Sequence, residues 1–459
     1  MFLFHLFVAG ASIDCVNVIT LLTDMKMDSV TLGTITPDCC KITNAETLKF
    51  VKIVCDSLER VTDISVMNLR LTGTINSVAL AAIPLITLNL NGNDLTGPIL
   101  ALPATLKQFS ALNSKLDGQL PVLPDSLTLL NLGYNQFTDL SPFSAKSQLK
   151  TLIMSNNKLI TKNIVFPNTL VEINMYSNQL SGTLSSLPPF LTQLTLANNQ
   201  FTGSLPPLPS SLTVVDVSQN QFTGSISTFP PLVTIFSVHS NEFSGKLPTP
   251  PSSLAFLAIS NNKFTGELPL LSKVTNLYAQ MNNFEGLLSM ESPVALFIQG
   301  NKVSSLSIKK VTSLTACDVR YNQLSNEQLQ IFLGTFCKIS DQMVTLPSAT
   351  TGTTATTEQE STTTEGFGYT GVDKNAQASK DTTLALIAVA IVIFLIGSVA
   401  ITFFLVKRGR SKAQGLSSAS ALDSNRLGPS IQRLNDQQFT TISLSPSVNK
   451  KRFGYSDNE

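Results

Sequence analysis

The chain has 459 residues, room for two or three ordinary domains or for one long repeat array. Its net charge of +1 leaves no basic excess to hold phosphates, which argues against a nucleic-acid partner. Only 13% of residues are charged, about half the ~25% of ordinary soluble domains, so outward positions must be filled by neutral polar residues.

In chain order, residues 1–11, MFLFHLFVAGA, form a short apolar run that closes on Ala9-Gly10-Ala11. That is the small-x-small cleavage pattern of a secretory signal peptide. Residues 12–60 then carry four of the six cysteines: Cys15, Cys39, Cys40 and Cys55.

From 61 to 324 one template recurs, LxxLxLxxNx(L/F)xGx(L/I). Its asparagines are Asn93, Asn135, Asn157, Asn178, Asn199, Asn220, Asn241, Asn262, Asn282, Asn301 and Asn322. Leu69 and Ser114 hold the same place in two further copies, so about 13 coils are expected. In the copy that starts at Leu191, the Leu194-x-Leu196 step has period two and points both leucines inward from a short strand. Stacked copies align these strands as a parallel sheet on a concave face. Asn199 turns inward after the strand, where its amide can serve backbone groups that the bend leaves unpaired. Phe201 closes the bend beneath it. Backs such as Leu205-Pro206-Pro207-Leu208-Pro209 are too proline-rich for helix interiors and suit extended or polyproline II backbone, so few helices are expected.

A period of 20–29 residues with this signature identifies the leucine-rich repeat. The LxGxLP half of each coil resembles the plant-type repeats of receptor-like proteins, and the LPxLPxSL half resembles the short repeats of bacterial effectors. The cysteine-containing stretch before the coils is similar to a plant-type N-terminal cap, although it lacks Trp. The resemblance covers about residues 12–337. It implies a solenoid, or horseshoe, with capped ends. It also implies Cys15–Cys39 and Cys40–Cys55 bridges, where six cysteines allow 15 pairings by count; Cys317 and Cys337 pair by proximity. No His lies near either cysteine group, so neither a metal nor another cofactor is expected.

After the coils, residues 325–340 read as a C-terminal cap. Ser325-Asn326-Glu327-Gln328 has the form of a capping box, in front of a short helix over LQIFLGTF. Residues 341–383 contain a Thr-rich tract and are expected to be a disordered stalk. Residues 384–406 are 23 positions without a charge, long enough to span a membrane as a helix. Lys407, Arg408, Arg410 and Lys412 follow at once, which places the disordered 407–459 tail in the cytosol and the N-terminus outside the plasma membrane.

Catalysis is not expected. No nucleophile, base and orienting group recur together, and His239 sits at an outward strand position, the usual place of a solvated side chain. The expected activity is binding of an extracellular protein, peptide or glycan on the concave face, with signalling passed to a membrane co-receptor. The alternatives are an adhesion or cell-wall protein and a module resembling enzyme inhibitors. Outward positions place Phe256, Tyr278, Met281, Phe297 and Tyr321 on adjacent strands as a contact patch, with Asn131, Asn174 and Gln280 as polar contacts.

Overall fold

A computed structural model describes residues 13–35, 38–41 and 50–339, all within the unit Met1–Thr351. The expected signal peptide, stalk, membrane span and tail lie outside the described residues. Among the described residues no helix is long and apolar enough to cross a membrane.

The LxL steps build one 15-stranded sheet whose strands follow one another in chain order. Thirteen of them, from Val61–Val66 to Ala316–Asp318, are the coil strands, each paired in parallel with the next. Inward residues are fully enclosed: Leu194 and Leu196 are each 0% exposed, and burying a side chain of this size contributes about 1.5–3 kcal/mol. Five phenylalanines, Phe201, Phe222, Phe243, Phe264 and Phe284, stack from coil to coil with ring centroids 5.9–6.2 Å apart. They form a continuous spine under the bends.

The proline-rich backs, such as residues 205–209, form neither helix nor strand, as expected, but the other half of the template beside them does pair. Where the Asn-x-Phe-x-Gly half of the template runs, short parallel ribbons form. One joins Ser181–Gly182, Gln200–Ser204 and Gln221–Thr223, and another begins at Ser244–Gly245 and ends at Lys302–Ile308. The template glycine is required there by both backbone and space. Gly203 has φ +75°, and a Cβ on it would stand 3.0 Å from the Thr183 side chain of the coil before. At the Asn157 coil Thr161-Lys162-Asn163 replaces the glycine, and Asn163 takes φ +50° instead. Through this coil the pairing thins to single contacts: the Lys158 and Ile160 N–H groups donate to the Phe137 and Thr138 carbonyls, and Lys162 makes an isolated parallel bridge to Ser181.

Both ends are covered and bridged. Helix α1 (Ile13–Asp24) buries Cys15, Val18, Leu21 and Leu22 and precedes α2 (Ser29–Ile35). The α1 C-terminus meets the first coil at Gly73, whose N–H donates to the Met25 carbonyl while the Thr74 N–H donates to that of Asp24. Strand Val51–Cys55 pairs antiparallel with Val61–Val66 and closes the sheet edge, an element the repeat pattern does not contain. Disulfides join Cys15 to Cys39, Cys40 to Cys55 and Cys317 to Cys337. A short helix, α3 (Ser77–Ala82), interrupts the back of the first coil.

At the far end the capping box is half made. The Ser325 hydroxyl accepts the Gln328 N–H at 3.3 Å, but the Gln328 side chain accepts the Leu306 N–H and ties the cap to its neighbouring coil. Helix α4 is only Asn326–Gln330, and LQIFLGTF continues beyond it as turns around buried Phe332. Cys337–Lys338 then adds a last parallel strand.

Candidate ligand-binding face

The asparagines form the polar frame behind the face. The Asn199 amide donates to the carbonyls of Met175 and Leu196 at 3.0 Å and of Ala197 at 3.2 Å. Its Oδ1 accepts the Leu180 N–H at 3.0 Å. The same set of bonds recurs at Asn220, Asn241 and Asn262, so each side chain sews its own bend to the coil before. Asn93, Asn135, Asn157, Asn178, Asn282, Asn301 and Asn322 make equivalent bonds. The residue before each asparagine is in left-handed backbone, as at Asn198, φ +55°, and Met281, φ +56°; this turns the asparagine inward.

Register then defines the concave face. The central outward position runs Ser65, Asn89, Ser110, Asn131, Ile153, Asn174, Thr195, Asp216, Ser237, Ala258, Tyr278, Phe297 and Asp318, each beside the next. The pattern does not reveal how enclosed this row is. Thr195, Asp216, Ser237 and Ala258 are at most 5% exposed, because small side chains sit between larger ones in adjoining rows. His239 corrects the sequence reading outright. It is on the expected face but only 6% exposed, with Nδ1 3.2 Å from the Ser240 hydroxyl. Burial pushes its pKa below the usual imidazole value, opposed in part by the charge of Asp216.

The aromatic residues do meet. Phe256 and Tyr278 have ring centroids 5.4 Å apart, and Tyr278 and Phe297 stack 5.2 Å apart at 6°. All three rings are half-buried. Met281, 56% exposed, lies over Gly300 beside this row. Tyr321, 46% exposed, stands outside the stack under the Arg320 guanidinium, 5.6 Å from it. Two proposed polar contacts are not brought to the patch. Asn131 lies seven strands from Tyr278 and Asn174 five, about 34 and 24 Å at ~4.8 Å per strand. Each accepts a local backbone N–H instead, from Gly133 and Tyr176. Gln280 does flank the stack.

Two features of the face carry no signal in the repeat pattern. Among the described residues three enclosed side-chain polar atoms lack a hydrogen-bond partner: Ser237 Oγ, Gln280 Oε1 and Gln299 Oε1. All three belong to outward positions of this face, between the tenth and thirteenth strands of the sheet. Such groups are normally paired, because an enclosed unpaired acceptor or donor costs about 1–3 kcal/mol. The second feature is charge. The outward positions of the thirteen coils carry Asp63, Glu172, Asp216 and Asp318 against Arg320, which is spent on Asp318 at 2.8 Å; exposed Lys52 and Lys338 stand on the two end strands, opposite Ser65 and beside Asp318. Among the described residues Glu172 finds no ion pair or side-chain hydrogen bond, and burial alone pushes its pKa above the usual carboxylate value.

No other feature of the described residues competes for a ligand on chemical grounds. The sulfurs of Cys15, Cys39 and Cys40 lie within 4.8 Å of one another, but all are committed to disulfides and offer no thiolate to a metal. A cleft of about 760 Å³ on the backs of the Asn135 and Asn157 coils is lined by Phe143, Ile164, Phe166, prolines and hydroxyl side chains, with Lys162 its one titratable group.

Comparison with known proteins agrees with this geometry. The family model described as Leucine Rich Repeat matches residues 190–212. No curated protein matches. Among solved structures, the PEPR1–AtPEP1 crystal structure is similar to this chain at 19% identity and TM-score 0.56, over 72% of this chain and 55% of that one. YopM from Yersinia enterocolitica is 30% identical over 52% of each chain, with TM-score 0.43. The plant peptide hormone receptor RGFR1, in complex with RGF2, is 20% identical over 62% of this chain and 64% of that one, with TM-score 0.39. This chain thus spans little more than half of the first of these structures. At these identities only the fold of the first is informative, and it is the same stacked-coil fold. Its own repeats and their asparagine frame, together with the matching repeat unit, give the chain a leucine-rich-repeat fold.

Proposed function

We propose that the chain is a receptor-like surface protein that binds a peptide or a protein segment along its concave face. The observation that carries this reading is the pair of unpartnered acceptors, Gln280 Oε1 and Gln299 Oε1, beside the Tyr278–Phe297 stack. Both oxygens are enclosed in half-buried side chains, so a ligand reaches them by turning the amides outward; an extended backbone then supplies N–H donors for them and side chains for the apolar area. Aromatic groups on a rigid scaffold are effective anchors. The proposal includes the 384–406 span and the secretory start, which would hold this face outside the cell, and a membrane co-receptor that receives the signal.

The test is a screen of the full chain against extracellular peptides, proteins and glycans, repeated with Tyr278→Ala plus Phe297→Ala. A genuine ligand loses at least about tenfold in affinity, the effect of removing anchor side chains. Unchanged affinity in the double variant removes the concave patch from the account. Deleting 413–459 separates signalling from adhesion: a lost cellular response with binding retained supports the receptor reading.

A further inference from the structure

The concave-face reading leaves the centre of that face unexplained. Asp216 is 5% exposed; one carboxylate oxygen accepts the Ser218 N–H at 3.1 Å and the Ser218 hydroxyl at 2.6 Å. Its other oxygen has no hydrogen-bond partner among the described residues, and no Lys or Arg pairs with it; the one base that feels its charge is His239, whose cationic form burial disfavours. Ser237, the register partner of Asp216 on the next strand, is 0% exposed with its hydroxyl unpartnered. Tyr176 follows Asn174, two strands from Asp216 on the same face. Glu172, two strands away, adds a second uncompensated carboxylate to the same face. The one nearby lysine, Lys150 at the rim, is exposed and pairs with neither. A desolvated carboxylate without a counter-ion is costly, and here a fully enclosed hydroxyl beside it has also lost its partner.

We infer that this centre is the seat of a cationic side chain, and that the ligand is an extended peptide bearing a basic residue and an aromatic or aliphatic one. A guanidinium or ammonium donates to the free Asp216 oxygen, over the enclosed Ser237, with the Tyr176 ring as a cation–π partner. The apolar side chain lies against Tyr278 and Phe297. From Asp216 to Tyr278 is three strand steps, and to Phe297 four, or about 14–19 Å at ~4.8 Å per step. At ~3.3 Å per extended residue this is about four to six residues. The spacing and the charge together define the ligand class more narrowly than the fold does. The inference rests on the concave face being the ligand surface, and the variants below separate the two.

The experiment uses the full chain with its disulfides intact and blocked synthetic peptides of Gly and Ser. Each peptide holds one Arg and one Phe at separations of one to eight residues. Affinity is expected to peak at four to six. Replacing Arg by citrulline, its neutral isostere, should cost about ten- to a hundredfold at low salt, as for a charged hydrogen bond. In the Asp216→Asn chain, which keeps an acceptor for Ser218, arginine and citrulline peptides should bind alike. Equal binding of the two in the parent, a retained arginine preference in Asp216→Asn, or no binding at any separation overturns this inference. If, in any of these cases, another ligand is found that Tyr278→Ala plus Phe297→Ala releases, the concave-face reading stands alone. If the peptides bind but neither variant alters their binding, both fall.

Discussion

At the residue scale, the bends and the face decide which single polar groups are paired. Asn199 makes four hydrogen bonds that join two coils. Asn199→Ala should cost about 3 kcal/mol, since it leaves enclosed backbone groups unpaired; chemical denaturation followed by circular dichroism measures this. Glu172 behaves oppositely. Burial raises its folded pKa above its ordinary value of 4.5, so between those two values the folded chain holds a proton that the unfolded chain has released. This stability is fully present below the ordinary value and declines as pH rises through the raised one. Glu172→Gln should therefore raise the melting temperature at pH 7 and lose that advantage at pH 4. His239 is lowered from 6.5 by burial. Its contribution is complete above 6.5 and is lost as pH falls toward the folded value, so His239→Asn should flatten the decline in melting temperature between pH 7 and 5.

At the scale of elements, strands and bends were legible in the sequence because their cause is local. The period-two LxL step and the inward asparagine recur with the coil, so register follows from alignment alone, as the row from Ser65 to Asp318 shows. The ends and the face were less legible. Gln328 reads as half of a capping box, yet its amide finds the Leu306 N–H, a partner 22 residues away that no local motif specifies. The Val51–Cys55 strand lies outside the template, so nothing periodic marks it. The enclosure of His239 and Asp216 depends on which side chains neighbouring coils place beside them, and period two decides the face of a residue but not its depth. Gly73 is the sharpest element-scale test. A Cβ there would fall 1.8 Å from the Asp24 carbonyl oxygen, so Gly73→Ala must move α1 off the first coil. Limited proteolysis should then cleave first near residues 24–27, and native resistance at that point would mean the cap docks differently.

At the scale of the whole molecule, no coil buries its core alone, and stability is shared between neighbours. Against that background the concave face is an exception. Elsewhere the solenoid pairs its enclosed side-chain polar atoms, whereas Ser237, Gln280 and Gln299 remain unpartnered on one stretch of one face. Under the proposed function, a face that leaves such groups unpaired gives up stability for recognition. The most direct measurement needs no ligand: the melting temperature of the full chain carrying Gln280→Leu plus Gln299→Leu. If the two acceptors are held ready for an absent partner, replacing them by apolar side chains should raise stability by about 2 kcal/mol, since removing an unpaired acceptor relieves its desolvation cost. A lower melting temperature would mean that both amides already have partners within the folded chain, and would contradict the account of the face as a ligand-binding surface.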